Sequence, residues 1–141
     1  RRYLRLAKTY GLPVIIHCRE AFDDLFSIAD EEYRGLPAVL HCFTGTMSDA
    51  EKVLDRGWYI SLSGIVTFKR SDDLRKVAEM VPLGRLLIET DTPYLAPQKY
   101  HGQKNEPAYV IEVADTIARI KNITRNIIAE ETSANARALF L

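Results

Sequence analysis

The 141-residue sequence predicts an α/β fold with parallel strands. Three short apolar runs lead into side chains that can bind a metal, and these are residues 13–16 before His17, residues 37–40 before His41, and residues 86–88 before Glu89 and Asp91. Continuous apolar runs of this length are typical of parallel strands with both faces covered. Segments with helical periodicity separate the runs. This alternation predicts four strand–helix units, which amount to half of an eight-stranded barrel of about 250 residues.

Each element follows from a local pattern. The strands are predicted at residues 14–16, 37–40, 58–64 and 86–88, and the helices at residues 1–10, 21–33, 48–57, 71–81, 105–120 and 124–141. Gly11 suits the left-handed residue that follows a helix. Ser48 and Glu51 have the spacing of a capping box, and Ser71 is expected to cap the next helix. The first helix starts without a cap, which indicates that the chain belongs to something longer.

Length and composition indicate one domain. Residues 1–141 are expected to form a single domain, because the chain is long enough for one core. The 19 basic and 19 acidic side chains balance, so contact with nucleic acid would depend on a local patch. No apolar run approaches the roughly 20 residues of a membrane span, and no signal peptide is recognisable. We therefore expect a cytoplasmic protein without membrane contact, and no obligate protein partner is evident.

His17, His41 and Asp91 are expected to lie close together. Parallel strands present their carboxyl ends at one edge, where α/β proteins build active sites. His41 follows His17 by one strand–helix step, and Asp91 follows His41 by two. A lone histidine at a strand end is commonly a hydrogen-bonded structural residue. Two imidazoles and a carboxylate in register instead favour a hydrolytic site with Zn, Mn, Fe or Mg.

Strand alternation assigns the neighbours of these residues to faces of the sheet. The residues that share a face are His17 with Ile15, His41 with Val39, and Asp91 with Glu89. Glu89 is therefore an acid one layer below the site, which either supports a metal ligand or anchors a neighbouring strand. Cys18 and Cys42 are expected on the opposite face, as buried packing residues beneath the helices rather than as a disulfide or soft metal ligands.

Two irregular segments are placed to cover the site. Residues 65–70 are apolar enough to lie over its mouth, and residues 92–105 form a long loop of the kind that often has a function. Cationic and stacking groups suitable for a nucleic-acid groove are Arg19, Lys69, Arg70, Lys99, Tyr100 and Lys104. A solvated charged surface is the alternative interpretation of these residues.

Several runs of the sequence, in this order and spacing, resemble the TatD family of metal-dependent deoxyribonucleases. They are PVIIHCRE at 13–20, HCFTG at 41–45, ETDTPYL at 89–95 and NEPAY at 105–109, with NA at 135–136 and LF at 139–140. The resemblance covers nearly the whole chain. It implies a (β/α)8 TIM barrel of the amidohydrolase type with one or two divalent metal ions, Mg, Mn or Zn. It also implies a hydrolase that cleaves phosphodiester bonds in DNA.

The resemblance also implies roles for individual residues. His17 and His41 would bind one metal, while Asp91 would bind the other and position or deprotonate the attacking water. Arg19 would face the scissile phosphate, and Asn105 would be a second substrate-binding residue. A surface salt bridge with a neighbouring acid is the alternative role for Arg19.

The chain lacks two features that the family uses. These are a His-x-His pair at the first strand and a bridging Glu at the fourth, so the chain is predicted to supply the last four strand–helix units, the C-terminal half of the barrel. An inner face of Ile15, Val39 and Leu87 would then be left bare. Two other functions stay open. An amidohydrolase-like enzyme acting on a small cyclic amide or ester would use the same ligands, and a half-barrel without the other ligands would be a non-catalytic module.

Overall fold

A computed structural model describes residues 1–141 and contains one parallel sheet with six α-helices. The strands are β1 (Val14–Ile16), β2 (Ala38–Leu40), β3 (Tyr59–Leu62) and β4 (Leu86–Ile88), and they lie in the order β1-β2-β3-β4. The helices are α1 (Arg2–Tyr10), α2 (Phe22–Glu32), α3 (Met47–Asp55), α4 (Asp72–Met80), α5 (Val110–Lys121) and α6 (Arg125–Phe140). All three strand pairs are parallel, so the predicted α/β fold is confirmed.

One face of the sheet packs against the helices and forms the main core. Its strand residues include Leu40, Ile60, Leu62 and Leu86, each at most 1% exposed. Removing this much apolar surface from water is the largest favourable contribution to folding, at about 25 cal/mol per Å². The strands are thereby held in register, and their carboxyl ends meet at one edge of the sheet.

The other face of the sheet is only partly bare. Ile15 is 63% exposed, as the sequence predicts, but Val39 and Leu87 are buried at 2% and 7%. The prediction that all three are bare is therefore wrong. The physical reason is that Leu139, near the end of α6, packs in one cluster with Val39, Tyr59 and Leu87.

Asn135 attaches α6 to the beginning of β4. Its side chain is 8% exposed, and Nδ2 donates to the carbonyl oxygens of Leu83 at 2.6 Å and Leu86 at 2.9 Å. The Leu83 carbonyl also accepts the backbone N–H of Leu86, so the Asn135 amide adds a second hydrogen bond to it. The contact fixes the C-terminal helix at the edge of the sheet opposite the histidines.

Helix α3 starts with a capping box, two residues earlier than the sequence predicts. Thr46 Oγ1 accepts a hydrogen bond from the backbone N–H of Asp49, and the Asp49 carboxylate accepts from the N–H of Thr46. The predicted pair of Ser48 and Glu51 is therefore wrong. The physical reason is that Thr46 Oγ1 and the Asp49 carboxylate each satisfy the backbone N–H of the other residue, so the helix starts at Met47.

Other helix ends agree with the sequence in part. Gly11 follows α1 in the left-handed conformation with φ 64°, as predicted. Ser71 is the N-cap residue of α4, but its side chain makes no capping hydrogen bond. Residues Gly64–Thr67 form a 3-10 turn after β3.

None of the helices combines the length and apolar character that a bilayer span requires.

Candidate metal centre

Three potential metal ligands, His41, Glu89 and Asp91, converge at the carboxyl edge of the sheet. One ligand atom from each lies within 4.8 Å of the other two. His41 directly follows β2, and the two acids follow β4, so the group comes from the two strands on either side of β3. A nitrogen and carboxylate oxygens are a donor set that Zn²⁺, Mn²⁺ and other divalent cations accept.

His17 extends this group from β1. Its Nδ1 lies 3.1 Å from Nε2 of His41, and the two ring centroids are 5.1 Å apart. Two nitrogens bound to one tetrahedral cation at ~2.1 Å are about 3.4 Å apart, so the observed spacing is close to that of two ligands of one ion. The structure therefore brings His17 to His41, while Glu89 rather than His17 completes the tight group with Asp91.

Glu89 makes both of the contacts that the sequence analysis gave as alternatives, one to a potential metal ligand and one to a neighbouring strand. Its Oε1 lies 3.1 Å from Nδ1 of His41, and its Oε2 accepts a 2.5 Å hydrogen bond from Ser61 Oγ on β3. Glu89 thus orients a histidine and also ties β4 to β3. The sequence analysis missed Ser61, although a serine at an inward position of an apolar strand was a usable signal.

Asp91 has a carboxylate oxygen that no protein group satisfies. Oδ2 is buried and has no hydrogen-bond partner. A buried carboxylate oxygen without a partner is costly, and nearly all such groups in native proteins are paired. Asp91 is the one residue of the chain with such an orphaned side-chain atom, and it lies within the group of potential ligands. The residues present therefore fit a bound cation.

Cys42 lies on the side of the site, contrary to the prediction. Strand β2 ends at Leu40, and Cys42 has a left-handed backbone with φ 45°, which interrupts strand alternation. Its Sγ is 3.2 Å from Ser63 Oγ, and it lines the same cleft as His17. Burial, followed by the nearby Asp91 carboxylate, raises the pKa of Cys42 to about 12, so the thiol is neutral at pH 7.

Cys18 agrees with the sequence analysis. It is 9% exposed and belongs to the main core with residues of the helices. Burial is also the first cause that raises the pKa of its thiol. Both cysteines are free.

A cleft of about 600 Å³ opens beside the metal-ligand group. Its lining residues come from the ends of β1 and β2, the start of α3 and the two covering loops, and include His17, Arg19, Thr44, Asp49, Ile65 and Leu95. Ile65 belongs to the segment predicted to lie over the mouth of the site. Polar and apolar walls of this kind are typical of ligand-binding clefts.

The two predicted substrate-binding residues have different surroundings. Arg19 is exposed, lines the cleft and makes no salt bridge, and its neighbour Asp23 pairs with Lys52 instead. Asn105 is 1% exposed, with Nδ2 donating to Tyr94 O at 2.7 Å and Oδ1 accepting from the N–H of Glu106 at 2.9 Å. Its observed contacts hold the loop after Asp91, and a contact with substrate stays a prediction.

Some of the predicted cationic and stacking side chains contact other protein groups, and others make no such contact. Lys99 Nζ donates to Glu112 at 2.7 Å, and Tyr100 stacks on Tyr109 at a centroid distance of 3.8 Å. These two groups are therefore less available to a ligand than the sequence analysis assumed. The remaining cations of the two loops are exposed and make no ion pair, and they are Lys69, Arg70 and Lys104.

The sequence matches known proteins over its whole length. The model of the TatD related DNase family covers residues 1–141. The chain is 44% identical to an uncharacterized metal-dependent hydrolase of Buchnera aphidicola, over 99% of this chain and 53% of that protein. It is 40% identical to the 3'-5' ssDNA/RNA exonuclease TatD of Citrobacter rodentium, over 97% of this chain and 54% of that protein. The chain spans about half the length of the curated relatives it matches.

A solved structure of a TatD homologue has the same fold as this chain over the matched residues. The TatD homologue YJJV of Escherichia coli superposes with a TM-score of 0.89 at 32% identity, over 97% of this chain and 53% of that chain. The four-stranded sheet and its helices thus correspond to part of a TatD-type TIM barrel. Because the family model matches every residue and a solved relative shares the fold, the chain belongs to the TatD related DNase family.

Proposed function

We propose that the protein containing this chain is a metal-dependent hydrolase that cleaves phosphodiester bonds in DNA. The observation that carries the proposal is the buried, unpartnered Oδ2 of Asp91 beside His41 and Glu89, next to a cleft that His17 and the unpaired Arg19 line. Two comparisons support it. Relatives are named metal-dependent hydrolases, and one relative at 40% identity is named an ssDNA/RNA exonuclease.

We also propose that residues 1–141 are a single domain and the C-terminal half of the barrel. The support is the order of the four strands, each paired with the next one in the chain, as in one half of a (β/α)8 barrel. Both outer strands, β1 and β4, have one unpaired edge. The remaining half of the barrel would pair with these two edges.

Three residues are proposed to hold one or two divalent metal ions, which are Mg, Mn or Zn. They are His17 and His41, whose facing nitrogens are 3.1 Å apart, and Asp91, whose buried oxygen lacks a partner. A divalent cation held there supplies polarisation of a phosphoryl oxygen and activation of a water molecule. Glu89 orients His41 through Nδ1, which leaves Nε2 of His41 as the nitrogen that faces His17.

Asp91 and Arg19 are proposed to act on the substrate. With Oδ2 on the cation, the Asp91 carboxylate would orient or deprotonate the attacking water through its other oxygen, Oδ1. The Arg19 guanidinium would donate to the non-bridging oxygens of the phosphate, since it lines the cleft and has no acidic partner. Asn105 would hold the loop that follows Asp91 in position, in addition to its predicted contact with substrate.

The test uses the full-length protein and the Asp91→Asn variant. The amide is nearly isosteric with the carboxylate, so the unfolding midpoint should stay the same while DNA hydrolysis falls by about a hundredfold or more. Titration of the metal-free protein with Mn²⁺ or Zn²⁺ should show weaker binding in His17→Ala and His41→Ala. Unchanged turnover in Asp91→Asn at saturating metal would reject its role.

The same assay separates the other two functions. Hydrolysis of a small cyclic amide or ester, with DNA left intact, would favour the amidohydrolase-like activity. Metal binding without hydrolysis of either substrate class by the full-length protein would favour a non-catalytic module.

A further inference from the structure

Tyr94 presents an unpartnered aromatic ring in the loop that follows the metal-ligand group. It stands three residues after Asp91, and its side chain is 74% exposed. The ring makes no aromatic or cation–π contact, and its hydroxyl makes no hydrogen bond. The other tyrosines of this loop region, Tyr100 and Tyr109, are stacked on each other. Tyr94 is thus the one tyrosine at this edge of the sheet whose ring is available to a ligand.

The backbone that carries this ring is anchored on both sides. The Tyr94 N–H donates to Asp91 O at 2.6 Å, and the Tyr94 carbonyl accepts from Asn105 Nδ2 at 2.7 Å. Asn105 in turn donates its own N–H to Pro93 O at 3.0 Å. A tyrosine on a fixed backbone has only two side-chain torsions left to order, so it binds a flat partner at low entropic cost.

The neighbouring loop holds this segment against the cleft. An added Cβ at Gly64 would overlap the carbonyl oxygen of Leu95, so the two chains are in close contact there. Gln98 donates its N–H to Thr67 Oγ1 at 2.7 Å. Leu95 lines the same cleft as Arg19. Tyr94 is therefore joined directly to the wall of the cleft.

Resting on the proposed nucleic-acid hydrolysis, we propose that Tyr94 stacks on an unpaired base of a single-stranded nucleic acid whose backbone enters the cleft. Stacking on aromatic side chains is the common means by which proteins hold single strands, since every base has a π-face. Bases inside a duplex have both faces covered by neighbours and cannot take this position. Tyr94 would then make the site favour single strands over duplexes.

The test measures binding by the full-length protein in EDTA, so that no strand is cleaved. Fluorescence anisotropy compares a labelled dT strand, an abasic strand of equal length and a duplex. Tyr94→Ala and Tyr94→Leu should weaken binding of the dT strand about tenfold and leave the abasic strand and the duplex unchanged. Tyr94→Phe should bind like the wild type, because the ring is retained. Tyr10→Ala is the control, since Tyr10 is 69% exposed on α1, before β1 begins.

Each other outcome overturns the assignment. Unchanged binding of the dT strand by both Tyr94→Ala and Tyr94→Leu would exclude stacking. Equal losses on the dT and abasic strands would indicate a structural or phosphate-contact role, as would a loss in Tyr94→Phe. Failure of the proposed function is a separate result, because it requires that the wild-type protein cleave no nucleic acid when metal is added.

Discussion

The Oε1 atom of Glu89 lies 3.1 Å from Nδ1 of His41, and the two residues come from strands that are not adjacent in the sheet. A carboxylate only accepts, so Nδ1 carries the hydrogen and the lone pair of His41 is on Nε2. Nε2 is the atom that faces His17. The acid therefore selects which nitrogen of His41 is available as a ligand.

We predict that Glu89→Gln weakens divalent-metal affinity by about tenfold to a hundredfold, the usual loss when such an orienting partner is removed. Isothermal titration of the metal-free full-length protein with Mn²⁺ or Zn²⁺ measures the change. Ser61→Ala is the control, because it removes only the hydrogen bond to Oε2 and leaves the carboxylate in place. Equal affinities of Glu89→Gln and wild type would show that Glu89 serves only to join the strands.

The edge of the sheet where the site lies was predictable from the sequence. Parallel strands need helical crossovers, so the exits of β1, β2 and β4 must lie on one edge whatever the details of packing. The placement of His17, His41 and Asp91 at one edge of the sheet follows from that rule alone. Glu89 was predictable from strand alternation, because it comes two residues before Asp91 in the segment that directly follows β4.

The remaining features depend on backbone conformation and tertiary contacts. Cys42 leaves the predicted face because a left-handed residue follows β2, and no local sequence signal indicates that conformation for a cysteine. Val39 and Leu87 are covered by Leu139, which is about 100 and 50 residues away from them in the sequence. Periodicity within one element cannot report such a contact.

Lys69 and Lys104 are expected to contribute phosphate contacts, because both are exposed at the cleft loops and make no ion pair. Replacing both by Ala should lower the salt dependence of single-strand binding, by about 0.7 in the slope of log K against log salt for each lost contact. Lys99→Ala is the matched control and should change the slope less, since Lys99 is paired with Glu112. A slope that is the same in the double variant and in wild type would contradict the contacts.

Glu32 should make the stability of the fold depend on pH in the acid range. Arg5 holds its carboxylate by two hydrogen bonds and Arg1 by a third, and these lower the pKa of Glu32 from 4.5 to about 2. A lowered folded-state pKa gives stability that is complete above about pH 4.5 and is lost as the pH falls towards 2. Urea unfolding of the full-length protein from pH 6 to pH 2.5 should therefore show a smaller loss in Glu32→Gln than in wild type.

The control for this pH series is Glu130→Gln, at an exposed glutamate of α6 that forms no ion pair. Its stability should follow the wild-type curve. Parallel curves for wild type and Glu32→Gln would mean that the contacts with Arg1 and Arg5 do not persist in solution.

We predict that Gly64 does not tolerate a larger side chain, because it lies against the loop that contains Leu95 and Pro97. An added Cβ would overlap Leu95 O and lie 3.2 Å from the backbone nitrogen of Pro97, and backbone atoms cannot move aside as a flexible side chain can. Gly64→Ala should therefore cost about 1–3 kcal/mol in the free energy of unfolding, or displace the loop at lower cost. Gly84→Ala is the matched control, because nothing lies within 4 Å of its added Cβ.

Urea unfolding of the two full-length variants measures the difference. Metal titration of Gly64→Ala then shows whether displacement of the loop reaches Asp91. Equal unfolding free energies and equal metal affinities in both variants would contradict the close contact between Gly64 and Leu95.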